Sequence, residues 1–393
     1  MSRLDELIAE HCPNGVRYVA LGQVCTFNRG TWVKADQLVP GAVPVVTSSR
    51  TIGGYHHVSN REGTTIVVAS SGAYAGFVSL WTSPIYLSNA FSVDIRDVET
   101  LNPRYLYRVL QDKQNEIHGL ASGGGVPNVY GPDLVAIKVP VPPVPVQEEI
   151  ARILDTFAEL EAELETELEA RKIQYAYYRD NLTLFSDETR RERLGELATI
   201  FGGLSGKSKA DFENGTARYV SYVNVFNNSA TDTHLDNRVQ VVEGERQTRL
   251  QHGDVLFTGS SETAADVAMS SVVAEAPEGD LYLNSFCIGL RWVDDKLFDP
   301  QFTKHLFRAT HIRQQLVQTA SGVTRFNVSK QKLAKVFVPV PSIEDQQRIA
   351  AVLDKLEALV NASNAGIPAE IAARRQQYEH YRDRLLTFKE LEA

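Results

Sequence analysis

Three stretches of the chain combine residue types that could do chemistry. Gly202-Gly203-Leu204-Ser205-Gly206-Lys207-Ser208 has the glycines, lysine and hydroxyl of a phosphate-cradling loop. Its glycine interval is one residue short, however, and Lys209–Gly215 makes a poor start for the helix that must follow, so nucleotide binding is not supported. Pro132-Asp133 has Lys138 nearby but no second acid between them, which leaves a nuclease metal site without its carboxylate pair. His56-His57 is the only adjacent pair among nine histidines and has no carboxylate or cysteine ligand at a convincing interval. It reads as a polar loop pair, and no metal site is expected. The remaining signal is ionic. Residues 300–337 hold seven cations and no acid: Lys304, Arg308, Arg313, Arg325, Lys330, Lys332 and Lys335. A phosphate backbone selects such a one-signed segment, although a solvated helix face would look the same in isolation.

The frame that must position these residues occurs twice. Val139-Pro140-Val141-Pro142-Pro143-Val144 leads to Gln147, Ile150-Ala151, Ile153-Leu154-Asp155 and Phe157. Val338-Pro339-Val340-Pro341-Ser342-Ile343 leads to Gln346, Ile349-Ala350, Val352-Leu353-Asp354 and Leu356. The two copies also end alike, Gln174-Tyr175, Tyr178-Arg179-Asp180, Leu182 and Phe185 answering Gln377-Tyr378, Tyr381-Arg382-Asp383, Leu385 and Phe388. A repeat of this length marks two like units. The proline run fixes an extended start and cannot continue into a helix interior. Beyond Pro145 no Pro or Gly occurs up to Phe185, while Ile150, Phe157, Leu164, Tyr178 and Phe185 keep a seven-residue register broken at Arg171. About forty residues at about 1.5 Å each predict a rod on the order of 60 Å. The second copy is interrupted at Asn364–Pro368. Each apolar stripe is too long to bury on one domain, so the two rods are expected to pack on each other.

Upstream of each proline run lies a β-rich part. Leu21–Phe27 answers Leu194–Ile200, and short runs such as Thr65–Ala69 and Asp254–Thr258, rich in β-branched residues and bounded by turn formers, read as sheet. Pro44 demotes Val43–Val46 to an edge strand or a strand start. Asn102-Pro103 and Asp299-Pro300 then read as helix caps with Pro in the first turn. Two glycine loops follow in one register, Ala121–Val129 and Ala320–Val328, displaced by the 199 residues that relate the proline runs.

At 393 residues, 43% hydrophobic and 23% charged, the chain is of ordinary globular composition. Cys12, Cys25 and Cys287 are scattered, which disfavours a disulfide framework and suits a reducing cytoplasm. No apolar run reaches membrane-span length and no signal-peptide core follows Met1, so no membrane role is expected. The net charge of −9 opposes a nucleic-acid partner until it is located. Residues 1–146 are neutral, whereas 147–185 carry 10 acids against 4 bases, in the ladder Glu159, Glu161, Glu163, Glu165, Glu167 and Glu169. The acidity belongs mainly to the spacer.

On the doubled Pro-Val-Pro…Gln…Ile-Ala…Leu-Asp starts and Tyr-x-x-Tyr-Arg-Asp-x-Leu ends, the whole chain resembles the specificity (S) subunit of type I restriction-modification systems. The resemblance implies an α+β fold with an internal pseudo-two-fold repeat. Two β-rich target-recognition domains, residues 1–138 and 186–337, would be joined by two long helices packing as an antiparallel coiled coil. Those helices, with their proline runs, would occupy 139–185 and 338–393. The resemblance further implies a non-catalytic subunit that reads double-stranded DNA and binds two modification (methyltransferase) subunits. These carry S-adenosylmethionine and methylate adenine at N6, and restriction subunits using ATP can then join. No cofactor is expected in this chain itself. Neither Asn-Pro-Pro-Tyr nor Asp-Pro-Pro-Tyr occurs, which such methyltransferases need, and Asn102-Pro103-Arg104-Tyr105 is the nearest approach. Two domains on a rigid spacer could read half-sites about one helical turn, roughly 34–36 Å, apart, with an unread gap between them.

Groove-reading side chains are expected in the loops between strands. In the first domain these are Thr47, Ser48, Ser49, Arg50, Ser70, Ser71, Tyr74 and Asn128, and in the second Asn224, Thr258, Ser260, Ser261, Glu262, Arg325 and Asn327. Arg suits guanine O6/N7, Asn suits adenine, and Glu can accept from cytosine N4. Lys304, Arg308, Arg313, Lys330 and Lys332 are the phosphate candidates. Ser, Thr and Asn also build turns without any ligand. Two readings of other classes compete: a coiled-coil adaptor with two protein-binding β domains, which the neutral first domain favours, and an ATP-using enzyme through Gly202–Ser208.

Overall fold

Thr65–Ala69 is buried at every position, as a run of β-branched residues bounded by turn formers demands, and it forms an inner strand of the first sheet. The computed structural model describes residues 3–41, 43–123, 125–213, 215–361 and 366–391. Helix and sheet are mixed in both of its two units, Met1–Glu165 with Ile371–Ala393, and Thr166–Glu370. In the first unit the strand order is Cys25–Arg29, Ala90–Ile95, Thr65–Ala69, Val78–Trp81, antiparallel throughout. The second unit has the same order with Ala198–Gly202, Cys287–Trp292, Val255–Thr258 and Ser270–Val272. Val43–Val46 lies between Tyr55–His56 and Tyr86–Leu87, so Pro44 marks a strand start and not an edge. The missing N–H costs nothing there because Val45 donates to Gly54 instead.

The capped helices form where Asn102 and Asp299 sit. Asn102 Oδ1 accepts from the amides of Arg104 and Tyr105, and Asp299 Oδ1 from those of Gln301 and Phe302. Pro103–Asp112 buries Tyr105, Leu106, Val109 and Leu110 in the first core with Ile66, Val68, Phe91 and Val93. Pro300–Leu306 buries Phe302 and Leu306 in the second with Val255, Phe257 and Leu290.

Val144–Leu182 is one helix of 39 residues, with Pro145 in its first turn, where the absent N–H is harmless. The second spacer is two helices, Ile343–Asn361 and Gly366–Leu386. Asn364 and Ala365 of the predicted interruption lie outside the described residues, and Gly366 to Pro368 form the first turn of the later helix.

The repeated residues turn out to fasten helix to domain. Gln147, fully buried, accepts from the Asn102 amide and donates to the carbonyls of Thr100 and Pro142. Gln346 does the same for Asp299, Leu297 and Pro341. Asp155 binds Arg108, which also donates to the Tyr378 hydroxyl. Six residues after the other cap, His305 takes the place of Arg108 and joins Asp354 at 2.7 Å and Tyr175 at 2.9 Å. In the first unit Val16 exchanges backbone bonds with Lys389 and Leu391, so residues 389–391 close its first strand. Among the described residues, no helix is long and apolar enough to cross a membrane.

Candidate nucleic-acid interface

In the first unit, the loops at the end of Thr65–Ala69 meet in a corner of hydroxyls and amides. Ser48 Oγ accepts from the amides of Ser70 and Ser71 at 3.0 and 3.1 Å and donates to the Asn89 carbonyl. Ser70 Oγ donates to the same carbonyl at 2.8 Å, and Asn89 Nδ2 to Ser71 Oγ at 3.2 Å. Asn89 carries this junction in a left-handed conformation, φ 38°, which Asn tolerates better than most residues. Asn128 bridges to Ser71 and Ser122, drawing the glycine loop into the corner. Thr47 Oγ1 accepts from the Ser49 amide, and Ser49 pairs with Thr51. Arg50 is exposed, with its guanidinium 5.1 Å from the Tyr74 ring and 5.0 Å from Phe77. Seven of the eight first-unit residues thus sit on one connected surface, with buried Ser70 beneath it.

The second unit has the same corner with different side chains. Ser260–Ser261, Phe326–Val328 and Ala320–Ser321 form a small sheet in which Asn327 pairs with Ser260 and Ser321. Gly322, φ +146°, permits the turn, since a Cβ there would meet the Arg325 carbonyl; Gly123, φ +125°, plays this part in the first unit. Arg325 is exposed, 5.6 Å over the Phe286 ring, and donates to Ser260 Oγ at 3.1 Å. Ser260, Ser261, Glu262 and Arg325 line a groove of about 660 Å³ with Tyr222, Phe226, Asp266 and Phe286.

Five residues expected at the DNA face inward instead. Asn224 is buried in the helix Tyr222–Asn227 and binds Asp232 and Asn228. Thr258, fully buried, accepts from the Met269 amide. Arg308 donates to the carbonyls of Ser270, Phe226 and Asn228, and Arg313 to those of Ala265, Val267 and Ala268. Burial lowers both guanidiniums, Arg313 to about 10. Lys304 lies 2.9 Å from Asp354 and 3.0 Å from Glu357. Burial alone would lower its ammonium, but Glu357 and Asp354 outweigh that and hold it above the usual lysine range. These cations tie the sheet, the capped helix and the spacer together, so their charge is already balanced or directed inward.

The same network gives unit stability a pH dependence. Burial would raise both carboxyls, yet Lys304 and His305 leave Glu357 and Asp354 below their ordinary 4.5 and 3.8. Lowered folded-state values contribute stability that is present above the ordinary carboxylate range and is lost as pH falls through the folded values. Acid unfolding below about pH 5 should therefore be steeper for the unaltered chain than for Lys304→Met, whose carboxyls lose the Lys304 contribution. Equal slopes would show that the network contributes nothing.

Lys330 and Lys332 remain exposed, and among the described residues neither makes an ion pair. They lie two and four residues after Val328, so they flank the corner. Replacing both with Ala should weaken binding of all DNA sequences alike and reduce the log–log salt slope by about two. An unchanged slope would remove them from the interface.

Lys207 Nζ is 2.7 Å from Glu245, and only the short turn Lys209–Phe212 follows it, so no helix N-terminus faces a phosphate. His56 lies tilted against Tyr86, ring centroids 4.1 Å apart, and bonds the Val58 backbone. Among the described residues, His305, Asp354 and Glu357 have their ligand atoms within 4.8 Å, with the Lys304 ammonium already bound to both carboxylates.

A family model described as the type I restriction modification DNA specificity domain matches residues 13–170 and 188–373. The chain belongs to the type I restriction-modification DNA specificity family. Members of this family are the non-catalytic components that give such systems their DNA sequence specificity. The chain is 32% identical over 268 residues to the Escherichia coli type I restriction enzyme EcoR124I/EcoR124II specificity subunit, covering 64% of this chain and 63% of that one, under two thirds of its length. It is 26% identical over 374 residues to a putative type I specificity subunit, S.HindORF215P, of Haemophilus influenzae, covering 91% of each. Its fold matches the crystal structure of a type I S subunit from M. genitalium with a TM-score of 0.59, at 16% identity, over 95% of this chain and 96% of that one.

Within this specificity-family chain, sequence reasoning missed Asn89, Phe286, Tyr222 and Asp266. Asn89 and Phe286 each precede the equivalent strands Ala90–Ile95 and Cys287–Trp292 by one residue. A signal existed: where two repeats share a scaffold, the position that changes from Asn to Phe beside it is a candidate for differing specificity.

Proposed function

We propose that this chain reads a DNA target in two halves, one by each unit, and directs adenine-N6 methylation by two modification subunits bound to it. Restriction subunits using ATP would join that assembly, and S-adenosylmethionine and ATP would bind to the partners, in the cytoplasm. The observation that carries this reading is the doubled corner: the same Ser–Asn bridge, Ser71–Asn128 and Ser260–Asn327, bears different exposed side chains in the two units. A shared scaffold with differing readers is what two unlike half-sites require. The spacers are proposed to pair as an antiparallel coiled coil, giving the pseudo-two-fold repeat. Support comes from within the first unit, where Phe157 stacks on Tyr381 while Arg375 bonds Glu161 and Glu165, the order that oppositely directed helices give. The test is genome-wide adenine methylation in cells expressing this chain with its modification subunit. A two-part motif methylated once per strand and lost on deleting the chain is expected. No change with an assembled complex would favour the adaptor reading.

A further inference from the structure

We propose that Arg50 and Arg325 each read a guanine, so that both halves of the target contain a G·C pair recognised at guanine N7 and O6. This rests on the reading given under Proposed function. Both side chains are exposed at the Ser–Asn corner, and among the described residues neither pairs with a carboxylate. Three other exposed arginines are engaged: Arg104 with Asp155, Arg190 with Glu192, Arg249 with Asp280. Each of the two instead lies against aromatic rings, Arg50 over Tyr74 and Phe77 and Arg325 over Phe286.

A ring under the guanidinium fixes its plane and removes rotamer freedom before binding, while leaving the N–H edge open. A phosphate needs only charge, whereas the bidentate pair with guanine needs a fixed plane. In Arg325 the Ser260 bond at 3.1 Å holds one amino group and leaves the rest of the fork free. The aromatic partners come from different places, Tyr74 and Phe77 after the inner strand and Phe286 before the next one, so the two units reach the same arrangement independently. Arg193 also lies over a ring, Phe337, but on the strand paired with the proline run, where the first unit has Ala20 and Lys138. That pair belongs to the scaffold end, not to the corner.

The experiment measures DNA binding by the complex assembled with its modification subunits, on duplexes carrying the mapped target. Single guanines are replaced by 7-deazaguanine, which lacks the N7 acceptor. One replacement in each half should weaken binding by the unaltered protein roughly 10- to 100-fold. The same replacement should cost less than about threefold with Arg50→Ala for one half and with Arg325→Ala for the other, because the interaction is already gone. Arg→Lys variants, which keep the charge and lose the fork, serve where an alanine variant fails to fold. A half-site without a G·C pair, no sensitive guanine, or an Arg variant weakened equally on both duplexes would overturn the proposal. Equal binding of target and scrambled duplexes with all guanines intact would instead overturn the two-half reading itself.

Discussion

Lys304→Met should destabilise the second unit by about 3–5 kcal/mol, the cost of leaving a buried ion pair half removed. The Lys304 side chain is 10% exposed and that of Glu357 12%, so water takes over the lost contact only in part. Met keeps most of the stem's packing, which isolates the charge. Glu357 would retain only Ser229 at 2.6 Å and the longer Tyr175 bond at 3.4 Å. The reporter is Trp292, 7% exposed and packed on Phe298, followed through urea unfolding with Trp32 and Trp81 replaced by Phe. Adding Glu357→Leu to Lys304→Met should recover much of the loss, because removing both partners leaves no unpaired charge. A single variant as stable as the parent would mean that the network is wet and weak.

The second large effect concerns the repeat itself. Gln147→Leu should cost the first unit on the order of 3 kcal/mol, because the Asn102 amide and the carbonyls of Thr100 and Pro142 lose their buried partner together. Leu fills a similar volume, so the loss reports the hydrogen bonds and not a cavity. Gln346→Leu should do the same to the second unit, with Asp299, Leu297 and Pro341 left unpaired. Unfolding followed at Trp81 for the first variant and at Trp292 for the second separates the two. Full stability in either case would make that glutamine a passenger of the repeat.

These glutamines mark how far the sequence could be read. The doubling of Gln, Leu-Asp and Gln-Tyr was visible, and within each unit the Gln, the Asp and the Tyr fasten a helix to a domain. The caps at Asn102 and Asp299 were equally readable, because capping is local and depends on a few consecutive residues. The cations of 300–337 were not. Their sign is written in the chain, but Asp354 lies 49 residues from His305 and only the fold brings it under Lys304. Arg308 and Arg313 were misjudged for the same reason, as their carbonyl acceptors lie 38 to 82 residues away. The serines of both units gather at the corner, Ser70 and Ser260 buried in it, because the glycine and serine clusters that end strands also form it. What stayed hidden was which rings the arginines rest on, since Phe286 and Arg325 meet only after two loops converge.

The most direct test of the account exchanges residues 16–138 for the corresponding segment of another family member and maps adenine methylation in cells carrying the hybrid. One half of the two-part motif should change to that of the donor while the other half keeps its sequence. A hybrid that assembles and methylates but keeps both halves of the original motif would contradict it, as would one in which both halves change together.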